Sequence, residues 1–352
     1  MDVVTHALMG AHAAHLVAAT GKALSVRERL LLGGAAAAFP DADFVGFLID
    51  PLRFLAHWHQ GPTHSLVLLP FWAALLGALF CAATRRWRAL SEAVVVSGIG
   101  LATHIALDAI TVYGTKVLYP LSDRPASLGI TFVIDPVFTA ILGASLASSL
   151  TGRRRLATAG LLLLGLYLGL QGALKLHALR LAADAARAGA LATPDRLDAI
   201  PQPFSPFNWK LVVVQGSDYR IAHVNLVGHS ALVPPWPGLE HFSTLARAYL
   251  PPERMQWERR HHFGDEPRIG ELAQQLWARP DFAAFRRFAV YPALSRVDAT
   301  EAHRCVWFTD LRYDLPALPE TFRYGFCQDP PGAPWRLFRL RYFSADARQR
   351  LD

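Results

Sequence analysis

Three histidines fall within eight residues in HWHQGPTHSLVLL (57–69), directly before an apolar run. Imidazole ligates divalent metals or moves protons near neutral pH. Ionisable groups bordering a hydrophobic span are costly and point to a function. His104 and Asp108, in THIALD, are four residues apart. On a helix they share one face, one turn apart, where both reach a common ion or simply hydrogen-bond to each other. Asp41 and Asp43 stand in FPDADF. Pro40 is expected to break the helix there and expose both carboxylates, which then ligate or cap a helix. His59 and His64 flank Gly61 and Pro62, a bend that lets the two rings converge, with Thr63 or Ser65 placed to cap the helix that follows. His6 lies in MDVVTH, with Asp2 four residues earlier on the same helical face as outer support. Asp135, in FVIDP, precedes Pro136 and either caps a helix or ligates. His12, His15 and His57 are given no role.

Mixed His and Asp without thiolate suits catalytic zinc, with manganese as the other fitting ion. The eight candidate ligands are His6, Asp41, Asp43, His59, His64, His104, Asp108 and Asp135. They exceed one tetrahedral shell, so one to three ions are expected. Such a site lowers the pKa of bound water toward ~7 and clamps a phosphoryl oxygen. Asp41 or Asp43, left free, would take the water's proton as general base. That is metal-assisted hydrolysis. HExxH, GxSxG and a Walker A motif are all missing, which disfavours zincin proteases, serine hydrolases and P-loop NTPases.

These residues must be positioned by apolar segments. The 352 residues are 52% hydrophobic and 18% charged, against about 25% charged in ordinary globular chains. The excess of apolar residues is confined to the first half. Ser65–Ala83 and Leu156–Leu174 carry no charge over 19 residues each, near the ~20 needed to cross a bilayer. Ala93–Val112 and Ile130–Leu150 are apolar apart from His104, Asp108 and Asp135. Val3–Ala19 and Leu30–Ile49 are weaker, the second interrupted by FPDAD. Six crossings are expected. Lys22, Arg27, Arg29, Arg85, Arg86, Arg88 and Arg153–Arg155 flank one side, against Arg53, Lys116 and Arg124 on the other. By the positive-inside rule the first set is cytoplasmic. The unusual polar residues then gather at the outer face, and the C-terminal half is extracytoplasmic. The net charge of +7 sits mainly in these Arg clusters, which fits membrane orientation rather than nucleic acid. The N-terminus lacks a basic signal-peptide region, so the first apolar segment is expected to stay.

After about residue 175 the composition becomes that of a soluble protein. A linker helix is expected over 176–200, then a β-rich domain over 201–352. Stretches such as KLVVVQGSDYRIAHVNL (210–226), HRCVWFTDLRYDL (303–315), TFRYGFCQD (321–329) and WRLFRLRYF (335–343) alternate as antiparallel strands do. The fold class is thus α + β: a polytopic transmembrane helical bundle (1–175) with a C-terminal soluble β-rich domain. Cys305 and Cys327 would pair if that domain is outside, where the environment is oxidising.

MDVVTHALMG, FPDADF, HQGPTHSLVL, THIALDAITVYG and FVIDP, in that order, resemble the YdjM family of bacterial inner-membrane proteins, described as membrane-bound metal-dependent hydrolases. The likeness covers roughly residues 1–175, and PFSPFNW resembles the longer family members with a C-terminal domain. The family commonly has Arg where Gln60 stands. The order of an early His, an Asp, a His and a His-x-x-x-Asp is also similar to zinc-dependent phospholipase C and P1-type nucleases. On that resemblance His6, Asp41, His64, His104 and Asp108 would form the metal shell, with phosphoester chemistry on a membrane lipid or lipid-linked substrate. A transporter would instead place its polar residues near the midplane, between repeated halves; no repeat is visible. A structural metal site would be closed and often rich in Cys.

Overall fold

The computed structural model describes residues 1–17, 23–190, 194–228, 247–316, 318–342 and 344–351. Lys22, the end of the first apolar segment at 18–19, and Phe343 lie outside them. The chain divides into two units, Met1–Ala173 and Leu174–Asp352.

In the first unit each apolar segment forms a helix: α1 (Val3–Val17), α2 (Val26–Ala38), α3 (Leu69–Thr84), α4 (Leu90–Ala109), α5 (Pro136–Leu150) and α6 (Arg154–Ala185), the last running on into the second unit. Sequence sets their ends. Ser25 and Glu28 form a reciprocal capping box at the start of α2. Pro40 does not break the second segment as expected. It tightens it: Phe39–Phe44 is a 3-10 helix, and a short α-helical turn continues over Val45–Ile49. Proline removes one α-type hydrogen bond, and a 3-10 turn makes fewer demands on the donors that remain.

Among the described residues three stretches are long and apolar enough to cross a membrane, Val26–Ile49, Trp87–Ala109 and Arg154–Ala188. Pro51–His64 with α3 makes a fourth, bent by 73°. At 15 residues each, α1 and α5 reach only about 22 Å, short of the ~30 Å hydrocarbon core. Of the six crossings expected from sequence, three or four are thus long and apolar enough by themselves among the described residues.

A tight crossing brings three helices of the unit together. A Cβ on Gly10 of α1 would lie 2.3 Å from Ala37 Cβ and 2.4 Å from Gly33 O of α2. One on Gly100 of α4 would lie 2.5 Å from Gly33 O. Only glycine permits this backbone approach, the small-residue packing that membrane helices use. His12 adds a polar pin. Ser145 of α5 donates to Ala157 O (2.9 Å), so its oxygen accepts from His12 Nε2 at 2.9 Å.

The second unit holds two antiparallel sheets in sequential order. One comprises β1 (Arg196–Pro201), β2 (Asn208–Gln215), β3 (Asp218–Asn225) and β4 (Glu258–His261). The other comprises β5 (Pro292–Ala299), β6 (Arg304–Asp310), β7 (Tyr324–Gln328), β8 (Arg336–Leu340) and β9 (Arg348–Arg350). The hairpin β2–β3 turns at Gly216, whose φ of 58° suits a two-residue connection. Ala178 and Ala182 of α6 pack on Trp209, Leu211 and Val213 of the first sheet. Helices α7 (Pro267–Trp277) and α8 (Ala283–Phe288) join an aromatic core in which Trp277 and Phe282 meet Phe308 of β6. Cys305 and Cys327, directly opposed on β6 and β7, form a disulfide. The fully buried Lys210 ammonium donates to the carbonyls of Leu311 (2.7 Å) and Asp314. Burial pushes its pKa down to about 8.

Gly100→Ala should lower the thermal midpoint of the detergent-solubilised protein, at an overpacking cost of about 1–3 kcal/mol. Gly143→Ala, where nothing lies within 4 Å of the new methyl, should leave it unchanged or raise it slightly. Equal midpoints for the two variants would remove the crossing as the clamp.

Candidate metal centre

The glycine crossing aims the chemistry. His6 lies about one turn from Gly10, His104 one turn from Gly100, and Ala37 one turn from Gly33 and just before FPDADF. His104 Nδ1 donates to Ala37 O at 2.6 Å. That bond fixes the ring's tautomer, and Nε2 keeps its lone pair. It points at carboxylates, 3.2 Å from Asp108 Oδ2 and 3.8 Å from Asp41 Oδ1. His64 is set likewise. Thr63 Oγ1 donates to Asp43 Oδ2 (3.3 Å) and so accepts from His64 Nδ1 at 2.9 Å. His64 Nε2 then faces Asp108 Oδ2 at 3.3 Å and Asp41 Oδ1 at 3.8 Å.

Both Nε2 atoms are buried without a hydrogen-bond partner. Two imidazole lone pairs and two carboxylates converge with no donor shared between the rings and the carboxylates, an arrangement that a cation at the centre would neutralise. One ligand atom each from Asp41, His64, His104 and Asp108 lies within 4.8 Å of every other. The donors are nitrogen and oxygen in a four-ligand set, which fits a divalent ion of the zinc type. His64 and His104 are fully buried and Asp108 nearly so, whereas the Asp41 side chain is 20% exposed. The centre therefore opens at Asp41.

A second group joins Asp43, His59 and His64. His59 Nδ1 donates to Asp43 Oδ1 at 3.1 Å. His64 belongs to both groups, and its Nδ1 is committed to Thr63. His6 stacks on His104, with ring centroids 3.8 Å apart, and its Nε2 lies 3.1 Å from Asp108 Oδ1. The Met1 amino group lies 2.5 Å from the same oxygen. Asp108 thus faces the four-ligand centre through Oδ2 and His6 through Oδ1. Asp2 accepts from Thr5 N and Oγ1, capping α1.

Asp135 stands apart. Its Oδ1 accepts from Val137 N and Phe138 N, both at 3.0 Å, and its Oδ2 from Tyr167 O–H at 2.7 Å. Proline at the first helical position makes Asp135 the N-cap of α5 through Oδ1, while its Oδ2 is taken by Tyr167 of α6. Of the eight expected ligands, the structure gathers His6, Asp41, Asp43, His59, His64, His104 and Asp108 into one neighbourhood and leaves Asp135 out.

One participant escaped the sequence reading. Gln60 is buried, and its amide N–H donates to Asp108 Oδ2 at 3.1 Å. Its Oε1 accepts from Thr115 Oγ1 at 2.9 Å, which fixes the orientation of the amide. Its backbone takes φ 53°, a left-handed conformation that costs a non-glycine residue of order 1–3 kcal/mol and clusters at functional sites. Its sequence signals were its place between the histidines of HQGPTH and its standing where the resembled pattern commonly has Arg.

The model of the YdjM inner membrane protein family matches residues 1–178. The chain belongs to that family. The matched stretch holds every residue of the centre. No curated protein and no solved structure matches the chain. For this YdjM-family chain the site therefore rests on its own geometry.

His104→Ala and Asp108→Ala should each lose most bound divalent metal in the purified protein, as measured by elemental analysis. Asp135→Ala should keep the metal and lose about 0.5–2 kcal/mol of stability, the value of a helix cap. Full metal in either of the first two variants would overturn the ligand set.

Proposed function

We propose that the protein is a membrane-embedded, metal-dependent hydrolase acting on a phosphoester of a lipid or lipid-linked substrate. The observation that carries this is the pair of buried, unpartnered imidazole nitrogens aimed at Asp108 and Asp41. His64, His104 and Asp108 would hold the ion, zinc fitting best and manganese next. Three protein ligands with one open position is the pattern of catalytic rather than structural zinc. The bound ion supplies Lewis acidity and a water acidified toward pKa ~7.

Asp41, the most exposed of the four, borders that open position and would accept the proton of the attacking water. Asp43, hydrogen-bonded to His59 and Thr63, steadies the His64 tautomer through Thr63 and is the alternative base. His6 shares Asp108 and positions it. The Asp43–His59–His64 group supports a second reading, a further ion beside the first. Metal-to-protein ratios of one or two separate these readings. Asp135 is no longer proposed as a ligand.

The orientation belongs to the same proposal. Arg86 pairs with Glu28 and donates to Ala23 O, and Arg29 pairs with Glu92. Arg29 at the start of α2 and Arg86 between α3 and α4 thus collect at one end, the cytoplasmic one by the positive-inside rule. The disulfide supports an oxidising compartment for the C-terminal unit.

Asp41→Asn should keep most of the metal while hydrolysis of a phosphodiester panel falls about 10²–10⁴-fold, the usual worth of a general base. Wild-type protein loaded with zinc or manganese that cleaves no member of the panel would refute the hydrolase. In intact cells a membrane-impermeant maleimide should label Cys305 and Cys327 only after reduction. Labelling only after the inner membrane is permeabilised would reverse the orientation.

A further inference from the structure

An apolar groove of about 500 Å³ runs between α2 and α3. Leu32, Ala35, Ala36 and Phe39 form one wall, and Leu76 and Phe80 the other. From Leu32 to Phe39 it follows seven residues of helix, about 10 Å of rise. All its lining side chains are apolar, and both walls belong to stretches long and apolar enough to cross the membrane.

The groove ends at the candidate centre. Phe39 begins the 3-10 helix that carries Asp41 two residues later. Its ring lies 5.3 Å from that of Trp72, whose indole N–H donates to Pro62 O at 2.9 Å. Pro62 begins the turn that carries His64. The Phe39 end of the groove is therefore built from two of the segments that carry candidate metal ligands, Asp41 on one and His64 on the other.

We propose that this groove seats one acyl chain of the substrate lipid, with its phosphoester at Asp41. This rests on the hydrolase reading and gives that site its substrate class, a phospholipid entering sideways from the bilayer. The lining matches hydrocarbon, which has no groups to satisfy. The small side chains at 35, 36 and 38 leave room along α2 without adding any polar group to the lining. Only a ligand whose apolar part lies along α2 and α3 while its head lies past Phe39 uses both features at once.

The test uses the full-length protein in phosphatidylglycerol vesicles containing a phosphatidylglycerol with a mid-chain diazirine. After photolysis, adducts should be enriched on peptides of α2 and α3 over those of α6, although Leu162, Leu163 and Leu166 of α6 are far more exposed than Leu32 and Ala36 of the groove. Ala35→Trp should abolish the α2 and α3 adducts and leave metal content and the α6 adducts unchanged. Even labelling of all three helices in the wild type would overturn the proposal, and so would persistence of the α2 and α3 adducts in Ala35→Trp. Disulfide cross-linking of Ala35→Cys between two protein molecules would overturn it too, showing the groove to be filled by a second copy. Enriched labelling without any hydrolysis would sustain the groove and sink only the hydrolase.

Discussion

Everything in the N-terminal unit depends on how closely three helix backbones approach at Gly10, Gly33 and Gly100. Lipid tails are as apolar as leucine, so helices in a bilayer gain little from hiding apolar side chains. What holds them is contact, and contact is greatest where no side chain intervenes. The same crossing sets the distance between His104 and Ala37 O, and that hydrogen bond decides which nitrogen of the ring stays bare. A packing constraint between backbones thus becomes an electronic property of an imidazole.

The centre shows how buried polar groups acquire a direction. Each histidine spends Nδ1 on a neighbour, the Ala37 carbonyl for His104 and the Thr63 hydroxyl for His64. Asp108 receives the Gln60 amide on the oxygen that faces both rings. These outer bonds orient the candidate ligating atoms, as supporting partners do in metal sites generally. The turns over 39–64 that carry four of the donors are short and irregular. Backbone bonds from Lys116 N to Gln60 O and from Leu66 N to Val117 O brace them against the following loop.

Much of this was legible from residue types. The i, i+4 spacing of His104 and Asp108, the bend between His59 and His64, and the carboxylates of FPDADF all pointed to one neighbourhood, because helical periodicity converts spacing into direction. For Asp135 the sequence left cap and ligand open, because both use the same carboxylate, and only the chain's path separates them. Gln60 was passed over because a neutral amide carries no charge signal. Its role comes from a left-handed turn and from Thr115, 55 residues away. In the C-terminal unit the strands with strong alternation were visible. The short β1 and β4, the proline-led β5 and the helix α7 were not, since packing rather than pattern defines them. Lys210 gave no warning at all that its ammonium would bind two carbonyls from beyond β6.

The order of the donors along the chain has a further consequence. All of them lie between His6 and Asp108 of a 352-residue polypeptide. The residues that could hold an ion are therefore all made before any strand of the C-terminal unit. Metal could be captured by a nascent bundle while the β-sheets are still unmade, so loading need not wait for the second unit or depend on its folding.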